Sequence, residues 1–98
     1  MRLPSYPRST NRGRAIEKIS LNGCMAHEVV GHYEAWIKGT TQKVFHLEEA
    51  QASIRASKFG VGLDDEERKI LFEDAIDRLK DAGIEYDDVK DILDIWER

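Results

Sequence analysis

Two histidines and two glutamates fall within eight residues of this chain, in the stretch Cys24-Met25-Ala26-His27-Glu28-Val29-Val30-Gly31-His32-Tyr33-Glu34-Ala35-Trp36. Imidazole and carboxylate are the ligand set for zinc and related divalent ions. They are also the usual general acids and bases. Unpartnered titratable groups are costly to bury, so their placement beside Val29, Val30, Tyr33 and Trp36 points to partners. Two further acids, Glu48 and Glu49, follow after a short interval.

The spacing of the histidines decides what they can do together. In H-E-x-x-H zinc proteases the two imidazoles stand four residues apart, on one helix face. Here His27-Glu28-Val29-Val30-Gly31-His32 sets them five apart. On a regular helix of 3.6 residues per turn they would point about 140° away from each other. A local widening with i→i+5 hydrogen bonding restores convergence, and Gly31 is where a loosened backbone is tolerated. In an undistorted helix, by contrast, Glu28 and His32 form an ordinary i, i+4 pair. That geometry still allows metal-free acid–base chemistry, as in a ribonuclease using His27 or His32.

The elements that must hold these groups read as helices. Residues 1–13 contain Pro4 and Pro7 with Ser5, Ser9, Thr10, Asn11 and Gly13, and read as a linker-like arm. Residues 14–98 read as a single domain. The segment 14–21 allows a short strand, and Asn22-Gly23 signals a turn. A first helix is expected over about 24–38, with Met25, Val29, Tyr33, Trp36 and Ile37 recurring at helical spacing as its core face and Gly39 as its stop. The connection 40–46 carries His46, a loop residue on this reading. A second helix over about 47–59 starts with Glu48 and Glu49 at the positive end of its dipole. Its Ala50 and Ala52 permit close approach to a neighbour. Asp64 with Glu67 forms a capping box for a third helix ending near Ala82, with Gly83 as its stop. Its inward stripe is Ile70, Leu71, Ala75, Ile76 and Leu79. A fourth helix is expected over 88–97, with Val89, Ile92, Leu93 and Trp96 as its stripe. The fold class expected is mainly α, a small bundle of three to four helices with a possible short N-terminal strand.

Composition excludes several classes. Ninety-eight residues hold one modest core. No apolar run reaches the length of a membrane span, and the first residues lack the apolar centre of a signal peptide. The single Cys24 allows no internal disulfide; it reads as a helix residue with no base beside it. A zinc deaminase needs a paired-cysteine motif, which one cysteine cannot supply. The net charge of −4 hides a gradient. Residues 1–22 carry five basic groups against Glu17 alone, whereas 61–98 carry 14 acidic against 6 basic groups. An acidic C-terminal half does not suit nucleic acid phosphates; it is a solvated face or a dock for a basic partner.

Two resemblances sharpen this reading. The string His27-Glu28-Val29-Val30-Gly31-His32 resembles the H-E-x-x-G-H motif of the dipeptidyl peptidase III family of zinc metallopeptidases. Glu48-Glu49-Ala50-Gln51-Ala52 resembles that family's E-E-x-x-A patch. The resemblance implies His27, His32 and Glu49 as zinc ligands and Glu28 as the general base acting on water. Around them, Glu34 or Glu48 would orient a ligand histidine, with Arg55 as an ion-pair or transition-state partner. Those enzymes are several times larger, their two patches lie further apart, and they carry an acid where this chain has Ser53. From Leu21 onward, NGCMAHEVVGHYEA, LEEAQASIRAS and LDDEERKILFEDAIDRL are similar to the C-terminal toxin domains of bacterial polymorphic toxins, the Rhs-repeat and contact-dependent inhibition effectors. That similarity implies release from a larger secreted or surface-delivered effector, action in the cytoplasm of a competing cell, and a cognate immunity protein. The expected function is therefore a metal-dependent hydrolase toxin of peptidase-like type, with zinc as cofactor and a protein or peptide substrate. The alternatives are a nuclease toxin acting on RNA or DNA through the same cluster, and a non-enzymatic binding module.

Overall fold

The computed structural model describes residues 15–98; the linker reading of 1–13 lies outside them. A 3-10 helix, Ala15–Lys18, precedes a helical run made of α1 (Leu21–Ala26), a π-helical segment (His27–Tyr33) and α2 (Glu34–Lys38). Then come α3 (Phe45–Phe59), α4 (Asp65–Asp81) and the single turn α5 (Tyr86–Val89). The fold is mainly α, and no strand occurs among the described residues. Where a strand was expected, the chain makes the 3-10 turn instead. Ser20 then caps α1, accepting from the Gly23 amide at 3.0 Å. The Ser20 hydroxyl also donates to Glu67 at 2.6 Å. Glu67 in turn completes the capping box with Asp64 at the start of α4. One carboxylate thus ties two helix starts together.

At the centre stands α3. Every residue from Ala50 to Ala56 is buried, because the histidine-bearing run covers one side and α4 the other. Ala50 and Ile54 pack with Ala75, Leu79, Val89, Leu93 and Ile95 in one apolar cluster. Ala56 packs with Ile19, Ala26 and Leu71 in a second. A polar layer of His27, Gln51, Ser53, Arg55 and Asp74 is buried with them. No buried side-chain nitrogen or oxygen among the described residues lacks a hydrogen-bond partner, as a polar layer at this depth requires.

The apolar stripe expected to face the core from the histidine run faces solvent. Met25, Val29, Tyr33, Trp36 and Ile37 are 50–68% exposed. The buried side is Ala26, His27, Val30, Gly31 and Ala35. Helical spacing identified residues that share a face; close packing decided which face goes inward. A Cβ on Gly31 would stand 2.4 Å from the Ala52 carbonyl oxygen and 2.7 Å from the Ala52 Cα. Only a surface of small residues can approach α3 so nearly, and the large side chains are left outside.

The fourth helix is also much shorter than expected. It stops at Val89, and after a further turn 90–98 forms no helical element. Side chains of other elements draw this segment in. Gln51 accepts the Asp94 amide at 2.8 Å, while the Asp94 carboxylate receives Arg55, Lys38 and Thr40. Ile95 enters the core, whereas Ile92 and Trp96 remain exposed. The helix stops at Gly39 and Gly83 are as expected, both at positive φ. No helix among the described residues is long and apolar enough to cross a membrane.

Candidate metal centre

The widening that the five-residue spacing requires is present. Residues His27–Tyr33 form a π-helix, and the Glu34 amide bonds back to the Val29 carbonyl, five residues earlier. The extra residue per turn swings His32 onto the face of His27. Their Nε2 atoms lie 3.0 Å apart. The widened backbone is held from outside by Arg55, whose Nε donates to the Val30 carbonyl at 3.1 Å. A side chain bonding into a helical ladder is one of the recognised causes of such distortion.

From α3, Glu49 reaches the same point. Its Oε1 lies 3.1 Å from His27 Nε2 and its Oε2 lies 3.1 Å from His32 Nε2. The Gly31–Ala52 contact makes this reach possible, since Glu49 lies one turn before Ala52 on the helix that Gly31 touches. His27, His32 and Glu49 therefore form a group able to hold a metal ion, their ligand atoms all within 4.8 Å of one another. Two neutral imidazole nitrogens cannot turn lone pairs at each other across 3.0 Å without a cation or a proton between them. In the metal-free protein that proton resides on His32. Its hydrogen bond to Glu49 is the main cause, burial opposes it, and the pKa is pushed up to about 9. Burial likewise works against the Glu49 charge, yet hydrogen bonds from His27 and His32 hold its carboxyl well below the usual range.

Both imidazoles are anchored at their other nitrogen. His32 Nδ1 lies 2.7 Å from Glu48 Oε2, and Glu48 Oε1 accepts the Gln42 amide at 2.7 Å. A carboxylate only accepts, so His32 Nδ1 keeps its N–H, and Nε2 faces the centre with the proton that a metal would displace. His27 Nδ1 lies 2.9 Å from Ser53 Oγ. Ser53 donates to Asp74 at 2.6 Å, and Arg78 Nε donates to the same Asp74 oxygen at 2.8 Å. Arg78 also approaches Glu49, at 3.5 Å. Glu28 stands on the open side, its carboxylate 4.0 Å from His27 Nε2 and its side chain 68% exposed.

The structure thus gathers His27, His32, Glu49, Glu48 and Glu28 at one place. Glu34 and Arg55 are elsewhere. Arg55 is fully buried, bonded to Val30, Asp94 and Glu34, and Glu34 is gripped by Arg55 and Arg98. They brace the widened run from behind. His46 lies exposed in the first turn of α3, edge-on to Phe45. Cys24 is free, its thiol pushed up by burial and by the nearby Glu28.

Sequence reasoning missed Ser53, Asp74, Arg78 and Gln42. A signal existed for two of them. Asp74 interrupts the inward stripe of α4 between Leu71 and Ala75, and Arg78 follows it at i+4. An acid on an apolar face needs a partner. Comparison with protein-family models, with curated proteins and with solved structures finds no match. Geometry therefore carries the functional reading.

Proposed function

We propose that this chain is a toxin-type effector domain acting as a zinc-dependent hydrolase of peptidase-like specificity. The observation that carries the proposal is the convergence of His27 Nε2, His32 Nε2 and Glu49 through the π-helical segment. The residues fit zinc by donor chemistry: two imidazole nitrogens and one carboxylate are a catalytic zinc set that leaves a position open. Ligands bound tetrahedrally at about 2.0–2.1 Å lie ~3.3 Å from one another. The three contacts here, at 3.0 and 3.1 Å, need only a few tenths of expansion.

Bound there, zinc supplies Lewis-acid polarisation and an acidified water. The chain's own groups do the rest. Glu28, on the exposed side of His27, takes the proton of the attacking water and delivers it to the leaving amine. Glu48 keeps His32 from rotating. The H-E-x-x-G-H and E-E-x-x-A patches support the peptidase type. The similarity to polymorphic-toxin tips supports release from a larger effector, action in a target-cell cytoplasm and neutralisation by an immunity protein.

The test is metal content per chain by elemental analysis of protein purified without chelator or histidine tag, repeated on His32→Ala. Near-stoichiometric zinc that disappears in the variant is expected. Peptide cleavage by the wild type and its loss in a folded, zinc-loaded Glu28→Gln variant complete the expectation. A folded wild type without metal sinks the proposal, and cleavage of RNA or DNA instead of peptides would move the function to the nuclease class.

A further inference from the structure

The hydroxyl of Ser53 has one hydrogen and two polar neighbours. Asp74 Oδ2 lies at 2.6 Å and His27 Nδ1 at 2.9 Å. The same Asp74 oxygen accepts from Arg78 Nε at 2.8 Å, and an oxygen that receives a guanidinium N–H does not itself carry a proton. Ser53 must then donate to Asp74. Having spent its hydrogen, it meets His27 with a lone pair, so His27 Nδ1 carries the N–H. Ser53 and Asp74 are respectively 0% and 1% exposed, so bulk water does not compete for these bonds. Arg78 fixes the far end, bonded to Asp74 and leaning on Glu49.

We propose that Asp74, acting through Ser53, is the positioning residue of His27: it keeps an N–H on Nδ1 and so leaves Nε2, the nitrogen facing Glu49 and His32, as the one that takes a metal. This rests on the metal-centre reading above, and it assigns the two histidines separate supports. Glu48 orients His32 directly; Asp74 orients His27 from another helix, through a hydroxyl. An ion would bind between the two Nε2 atoms, and α4 is then part of the metal centre although it supplies no ligand.

The experiment is long-range proton–nitrogen NMR of the histidine rings in the metal-free protein, joined to zinc affinity measured by competition with a chromophoric chelator. Wild type, Ser53→Ala and Asp74→Asn are compared, with Glu48→Gln as a control that alters the support of His32 and leaves Ser53 and Asp74 in place. In the wild type His27 shows the Nδ1–H pattern. Ser53→Ala, folded by circular dichroism, loses that single tautomer and binds zinc ~10–100-fold more weakly. Asp74→Asn keeps a carbonyl acceptor for Ser53 and falls between. Glu48→Gln leaves the His27 pattern intact. An Nε2–H pattern in the wild type, or an unchanged tautomer and affinity in Ser53→Ala, would overturn the inference. Absence of zinc binding in a wild type with the Nδ1–H pattern would overturn the metal reading and leave the Ser53–Asp74 assignment standing.

Discussion

Gly31 and Ala52 meet backbone to backbone, with room for no Cβ between them: one built on Gly31 falls 2.4 Å from the Ala52 carbonyl oxygen. Everything about the centre depends on this crossing, because it sets how near Glu49 and Ser53 come to the two imidazoles. The atom in the way belongs to the backbone and cannot swing aside. Gly31→Ala must therefore push the helices apart. We expect a loss of about 1–3 kcal/mol of stability, as for other overpacked interiors, and reduced zinc retention, read by denaturant unfolding and metal analysis. A variant with unchanged stability and zinc would show that the crossing is looser than described.

His32 sets a pH dependence for the metal-free protein. Its folded pKa of about 9 lies above the ordinary 6.5. The stabilisation it brings is full below about pH 6.5 and lost as pH rises through 9. Stability of chelator-treated protein should decline across that window. Zinc-loaded protein should not decline there, since the ion takes the proton's place. Loading zinc at pH 7 should release about one proton, measurable by calorimetry in buffers of differing ionisation enthalpy. Zinc uptake at pH 7 with no proton release would refute the assignment.

Arg55 is the buried brace of the histidine run. It is fully buried and pairs with Asp94 at 2.7 Å and Glu34 at 3.2 Å while bonding the Val30 carbonyl. Arg55→Met should cost about 3 kcal/mol or more, because it leaves the buried Val30 carbonyl unbonded and takes a buried partner from both Glu34 and Asp94. Lysine would not restore the forked contacts.

The same two carboxylates give an acid limb. Arg98 beside Glu34 holds its carboxyl below the usual range. Burial opposes ionisation of Asp94, but Lys38, Thr40 and Arg55 hold its carboxyl low as well. Depressed carboxylates stabilise above their unfolded pKa, about 4, and that contribution fades as pH falls through the folded values. Wild-type stability should drop below about pH 4, with a shallower drop in Arg55→Met. Parallel acid limbs in the two proteins would count against this account.

Trp36 and Tyr33 are surface residues despite their types. Trp36 is 68% and Tyr33 56% exposed, their rings 6.1 Å apart. Trp36→Gln should change stability by no more than ~0.5 kcal/mol. Leu71→Ala, at a fully buried site, should cost about 2–5 kcal/mol. Thermal melts of the two variants separate these outcomes, and a large loss in Trp36→Gln would contradict the exposure.

Much was legible in order along the chain. Asp64 with Glu67, Gly39, Gly83 and the alanines of α3 announced the helices and their ends, because capping, left-handed stops and small-residue stripes are local chemistry. His27, Glu28, His32 and Glu49 declared a metal-type donor set by residue type, and the five-residue spacing of the histidines meant that they could converge only through a widened turn, an undistorted helix being the other reading. Tertiary structure decided what local rules leave open. Periodicity placed Met25, Val29, Tyr33, Trp36 and Ile37 on one face, but the Gly31–Ala52 contact turned that face outward. The apolar stripe around Val89 suggested a long last helix, yet Gln51, Lys38, Thr40 and Arg55 unwound it to capture Asp94. Ser53, Asp74 and Arg78 became supports of His27 only when α3 and α4 were brought together: the acid on the apolar stripe of α4 announced a partner, but a hydrogen bond across 21 residues of chain does not say which one.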